Sequence, residues 1–194
     1  MSKDSGTETT LPADSPTDPL ERWHADHRGF ARLLNVLEQH VDAFHAGKRP
    51  DYELMHSICY YLRHYPDRFH HPREDVAFAR MVKRDPSLQL ALARRMQEHV
   101  VIATAGEELL KCLDGILAGV VIERSTLEAA AATYLVYYRH HLAAEEQQVI
   151  PRAVQLLTAA DWAAVAAIPA EPDPLFEADS DARYGELRRQ IRAS

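Results

Sequence analysis

Two short stretches of this chain pair an imidazole with a carboxylate four residues on: His70-His71-Pro72-Arg73-Glu74 and His141-Leu142-Ala143-Ala144-Glu145. On a helix, positions i and i+4 lie one above the other, so each pair presents a nitrogen lone pair and a carboxylate to the same volume. His27 and His99 interrupt two further apolar stripes. Mixed imidazole and carboxylate donors suit iron, manganese or zinc, and thiolate-seeking ions are disfavoured because neither Cys59 nor Cys112 lies at this level. Four histidines and two glutamates exceed what one tetrahedral zinc accepts. Two carboxylates shared between ions about 3.5–4 Å apart are a better use of them. The reading is a dinuclear metal centre held by His27, His70, Glu74, His99, His141 and Glu145. Without a cation, these buried groups would cost several kcal/mol each to desolvate.

Such a site needs four helices that meet at one level. The first stripe runs Trp23, His27, Phe30, Leu34, Leu37, Val41, Phe44, behind a Thr17-Asp18-Pro19 start that supplies an N-cap and a first-turn proline. The second, from about 51 to 83, carries Met55, Cys59, Leu62, Pro66, His70, Glu74, Ala77 and Met81, with a kink expected at Pro66 and Pro72. The third, from about 86 to 117, carries Leu92, Met96, His99, Ala103, Gly106, Leu110 and Leu113. The fourth, from about 125 to 156, carries Leu127, Ala131, Tyr134, Tyr138, His141, Glu145 and Val149, with Ser125 and Glu128 as a capping box. Short links between long amphipathic helices predict an all-α fold, an antiparallel up-down-up-down four-helix bundle over residues 19–157. Residues 1–18 are expected to be disordered, and 158–194 to form a short C-terminal helical extension packed on the bundle. Within it, Thr158 and Asp161 cap a fifth helix, and a last helical piece covers about 179–191.

Height along the bundle is the test of convergence. His27 lies 22 residues before a turn near 49, and the midpoint of His70 and Glu74 lies 23 after it. That midpoint is 13 before a turn near 85, with His99 14 after; His99 is 21 before a turn near 120, and the midpoint of His141 and Glu145 is 23 after. At roughly 1.5 Å per residue, all six groups fall within about one helical turn of a common level.

Composition narrows the partners. The chain has 194 residues and a formal charge of −7, which protonating all 11 histidines would carry to +4. The one dense basic stretch is Arg188-Arg189-Gln190-Ile191-Arg192, so nucleic acid is excluded as the default partner. Two cysteines, no apolar leader and no long apolar run lead to the expectation of a cytoplasmic chain with no membrane partner.

The motif residues resemble hemerythrin-like proteins of the HHE cation-binding class. The resemblance rests on Asp26-His27, Phe69-His70-His71-Pro72-Arg73-Glu74-Asp75, Glu98-His99 and the run from His141 to Pro151, and covers about residues 20–155. It implies a non-haem centre of two iron ions with a bridging oxo or hydroxo group, zinc or manganese being possible as purified. His27, His70, His99 and His141 would then be terminal ligands and Glu74 and Glu145 the bridges. The oxygen carriers of the family have a further histidine one turn after the third-helix ligand, where this chain has Ala103. With the H-x-x-x-E spacing on the fourth helix, this resembles the six-ligand bacterial subset. The implied ligand is a small diatomic molecule or peroxide, and the protein partner is unknown. Three functions follow: binding or sensing of O2, NO or iron and redox state; an enzyme reducing peroxide, O2 or NO, or donating iron in iron–sulfur cluster repair; or a mononuclear or zinc-filled structural bundle.

Other residues are expected elsewhere. His71 with Asp75 reads as support around the site or as the bundle rim, and His140 as support or partner-facing. Glu21 with His24, and Glu53 with His56, lie at unmatched heights and read as surface. Tyr134 and Tyr138 read as packing on the His141 face, Cys59 as core, and Glu107 as a remote substitute at the position Ala103 leaves open.

Overall fold

The computed structural model describes residues 18–169 and Leu187. Helix α1 spans Pro19–His45, with the Asp18 carboxylate accepting from the Leu20 amide at 3.0 Å, so the expected N-cap and first-turn proline are both present. α2 (Tyr52–Tyr65) continues through a π-turn, Pro66–His70, into α3 (His71–Arg84). A single 3-10 turn, Pro86–Leu88, leads into α4 (Gln89–Leu117). α5 (Arg124–Ala144) passes through a second π-turn, Glu145–Val149, into α6 (Ile150–Leu156), and α7 covers Ala159–Ala166. Among the described residues every element is helical.

Cross-helix bonds show how the long helices run. His24 meets Glu146 while His45, one helix length away, meets Glu128, so α1 and the α5–α6 rod are antiparallel. On α2 and α4, His56 meets Asp114 and, at the other end of the rod, Glu74 meets His99. α1 packs on α2 and on α5, and α4 packs on the same two, closing a ring in which sequence neighbours are spatial neighbours. The helical bundle predicted from the stripes is present. α4 and α5 approach closely at Gly106, where a Cβ would stand 2.9 Å from Cε2 of the buried Tyr134 ring.

The core is split in two. One apolar cluster gathers Phe30, Leu34, Met55, Leu62, Leu109, Tyr138 and their neighbours, and it includes Leu187. The other gathers Trp23, Ala77, Phe78, Met81, Leu92, Val149 and Val165. Each rod passes from one cluster to the other, and a layer of buried histidine and glutamate lies between them: His27, His70, His71, Glu74, His99, His141 and Glu145. Fully burying an aliphatic side chain is worth about 1.5–3 kcal/mol, so the two clusters hold the bundle while the polar layer does not.

Three local expectations change. Ser125 is not the cap of the fourth helix: α5 begins at Arg124 behind Glu123, and Glu128 instead accepts from the Arg124 guanidinium and bonds His45. On the third helix Met96 is 45% exposed and Ala103 only part-buried; Ile102 and Leu109 hold the core positions. In place of a simple kink, the proline-bearing second rod has a π-turn, with Pro72 in the first turn of α3, where no intrahelical N–H is needed. α7 docks on α3 through its cap, a box in which Thr158 and Asp161 bond each other's backbone and Asp161 also accepts from Arg80 and Arg84. The segments 1–17 and the last helical piece at 179–191 lie outside the described residues, Leu187 excepted.

Candidate metal centre

All six predicted groups meet in the polar layer. The ligand atoms of His27, His70, Glu74 and Glu145 lie within 4.8 Å of one another, and so do those of His71, Glu74, His99 and His141. Glu74 belongs to both groups. Its Oε1 stands 2.8 Å from His70 Nε2 and 3.4 Å from His27 Nε2, while Oε2 stands 3.2 Å from His99 Nε2. Glu145 straddles the layer in the same way, Oε2 at 3.4 Å from His27 Nε2 and Oε1 at 3.5 Å from His141 Nε2 and 4.0 Å from His99 Nε2. Each carboxylate therefore turns one oxygen to either side, the geometry two adjacent cations require of a bridge.

The outward nitrogens are held as consistently as the inward ones. His70 Nδ1 donates to Asp26 at 3.0 Å, His141 Nδ1 to Glu98 at 3.2 Å, and His27 Nδ1 to Glu146 at 2.8 Å. A proton kept on Nδ1 leaves the Nε2 lone pair free and raises its basicity, the arrangement found behind metal-bound histidines. Arginines back two of these carboxylates, Arg73 on Asp26 and Arg95 on Glu98. Asp26 and Glu98 belong to the motifs, but each serves a histidine on another helix rather than the one beside it in sequence.

The charge balance is that of a site built for a cation. Glu74 is buried, which would raise its pKa, but His70, His27 and His99 hold it well below the ordinary carboxylate value. Glu145 is driven well above it by burial and by the Glu74 charge. Two carboxylates in one dry layer cannot both ionise without compensation. Glu74 Oε2, both Glu145 oxygens and His99 Nε2 are buried with no hydrogen-bond partner. Orphaned atoms at the focus of a donor cluster are what a metal would satisfy, so the residues present fit a dinuclear centre.

His71 departs from its expected place. It is 5% exposed, bonds Asp67 at 2.8 Å rather than Asp75, and stacks on His99 with ring centres 4.0 Å apart. His24 is drawn to the edge of the site by its bond to Glu146 at 3.0 Å. Glu107 is no substitute ligand: it is half-exposed and pairs with Arg63. Cys59 lies in the core, its thiol pushed far above the ordinary value by burial. Tyr134 and Tyr138 are fully buried on the His141 face, their hydroxyls without partners, and His140 is exposed.

Sequence spacing held an unused signal for the π-turns. The first stripe alternates steps of four and three, whereas Leu62, Pro66, His70, Glu74 and His141, Glu145, Val149, Ala153 advance by fours alone. Three successive fours carry an α-helical stripe about 120° round the rod, and a wider turn takes up that drift.

Compared with the curated proteins and with the solved structures, the chain matches none. The family model of the hemerythrin HHE cation binding domain matches residues 18–153, the span that builds the four rods and every donor of the polar layer. The chain belongs to the hemerythrin HHE cation-binding family.

Proposed function

We propose that this chain is a non-haem di-iron protein that binds or senses O2, NO or iron and redox state, through two iron ions with a bridging oxo or hydroxo group. The observation that carries this reading is the pair of donor groups sharing Glu74, with Glu145 reaching across both. His27, His70, His99 and His141 would be terminal ligands and Glu74 and Glu145 the bridges. Imidazole and carboxylate oxygen together suit iron, which supplies redox chemistry when bound. The residues do the rest. The carboxylates neutralise the cations, Asp26, Glu98 and Glu146 fix the imidazoles, and the two apolar clusters keep bulk water out.

A cleft of about 590 Å³ between α1 and α5 supports binding of a small molecule. It is lined by His24, His27, Arg28, Leu34, Arg139 and Glu146, and so reaches the outer edge of one donor histidine. A cleft of that volume admits a diatomic molecule or peroxide with room to spare. The sparse cysteines support a cytoplasmic location. No helix of the described residues is long and apolar enough to cross a membrane.

The test is anaerobic loading with ferrous iron, elemental analysis, and absorption spectra before and after O2 or NO is admitted. Two irons per chain with a new, reversible charge-transfer band are expected. One zinc per chain and no iron uptake would refute the reading, and rapid oxidation with peroxide consumption would move the assignment to an enzyme.

A further inference from the structure

We propose that His71 is itself a metal donor, supplying from the second rod the imidazole that Ala103 cannot supply from the third. The inference rests on the dinuclear reading above and adds a ligand to it.

His70 is held through Nδ1 by Asp26, which Arg73 backs; His141 is held through Nδ1 by Glu98, which Arg95 backs. His71 repeats the chain link for link: Nδ1 donates to Asp67 at 2.8 Å, and Asp67 is backed by Arg63. With Nδ1 given to a carboxylate, Nε2 is the nitrogen left over. One ring nitrogen of His71 lies within 4.8 Å of the donor atoms of Glu74, His99 and His141. A histidine that merely filled the core would need neither the outer carboxylate nor that convergence.

Donor number points the same way. Without His71, the second group is His99, His141 and shared carboxylate oxygens, one imidazole short of what a histidine at 103 would provide. Ala103 is part-buried one turn after His99 and ends at a methyl group. The His71 ring lies parallel to His99, 8° between planes, and at 90° to His141 with centres 6.0 Å apart, so the three rings surround one volume. The Pro66–His70 π-turn explains how two consecutive residues both face inward: it ends at His70, and α3 restarts at His71. His70 thus serves one group and His71 the other.

The experiment compares wild type with His71→Gln and with a control at the exposed His140, His140→Ala, each loaded anaerobically with ferrous iron alone. X-ray absorption counts the imidazoles per chain, elemental analysis counts the ions, and far-UV circular dichroism checks the fold. In wild type the scattering should require five imidazoles (His27, His70, His71, His99, His141) rather than four, a measurement that needs no variant to fold. His71→Gln should lose one imidazole and hold the second ion roughly tenfold or more less tightly, with His140→Ala unchanged. Four imidazoles in wild type, or an unchanged count and ion content in His71→Gln, would overturn the assignment. Wild type holding a single ion would fail the dinuclear reading instead, and loss of one imidazole in His71→Gln would still identify His71 as a donor.

Discussion

At the scale of single residues, the chemistry lies in how Glu74 and Glu145 divide their oxygens. Each turns one oxygen toward His27 and the other toward His99, so each should be needed by both ions. Glu74→Gln and Glu145→Gln remove half of that negative charge with little change of shape. Each should lower iron per chain from two to one or fewer by elemental analysis, and retention of two ions in either variant would refute bridging. Removing Glu74 should also matter more to the neighbouring histidines. In the metal-free protein burial opposes a charge on His70, yet Glu74 and Asp26 raise its pKa to about 9, whereas burial takes His71 down to about 4. Two adjacent imidazoles in one layer are thus set apart by which carboxylate stands over them. Motif spacing brought the six groups to one layer, but it could not show this difference, because Asp26 lies 44 residues from His70.

At the scale of elements, the two π-turns decide where the motif side chains face. Both adjoin an H-x-x-x-E pair, one ending at His70 and the other beginning at Glu145. Deleting the exposed Arg68 should convert the first into regular α-helix and leave His70 and Glu74 on the face they share with Leu62, because the π-turn takes up the 100° of one extra residue. Helix content by circular dichroism and iron per chain by elemental analysis should both be nearly retained; loss of iron from a variant that keeps its helix content would show that the turn does more than take up that drift. The cap of α7 gives a second test. Thr158→Ala removes the side-chain acceptor of the helix start and should cost about 1 kcal/mol, or roughly 2–4 °C in Tm. Asp161 is held below its ordinary value of 3.8, chiefly by its bonds from Thr158 and then by Arg84 and Arg80. A depressed folded-state pKa means that this contribution is complete above about 4 and fades as pH falls further. The Tm gap between wild type and Asp161→Asn should therefore be constant near neutrality and close below pH 4.

For the molecule as a whole, the polar layer is a cost that only a cation removes. It cuts the core into two apolar clusters and leaves buried oxygens of Glu74 and Glu145 without partners. An ion that binds the folded chain and not the unfolded one stabilises it by about 4 kcal/mol at a thousandfold excess over Kd. Chelated protein should therefore melt roughly 10 °C below the iron-loaded form near neutrality. Equal melting temperatures would show that the layer is stable without metal.

The amino-acid sequence by itself determined the four rods, most of the residues that face inward from them and the common height of the six candidate ligand groups. Those follow from local quantities, 100° and 1.5 Å per residue, which accumulate along a chain and can be counted. The N-caps at Asp18 and Thr158 are legible for the same reason, since each acts on the next three residues. The tertiary structure alone decided what depends on the rotation of each rod against its neighbours. Asp26 reaches His70 and Glu98 reaches His141 across helices, and Glu128 gives up a capping role to bond His45. The run of fours signals a wider turn, but only the packed helices show that His71 faces the layer. Spacing along one helix says which residues share a face; only packing says what that face meets.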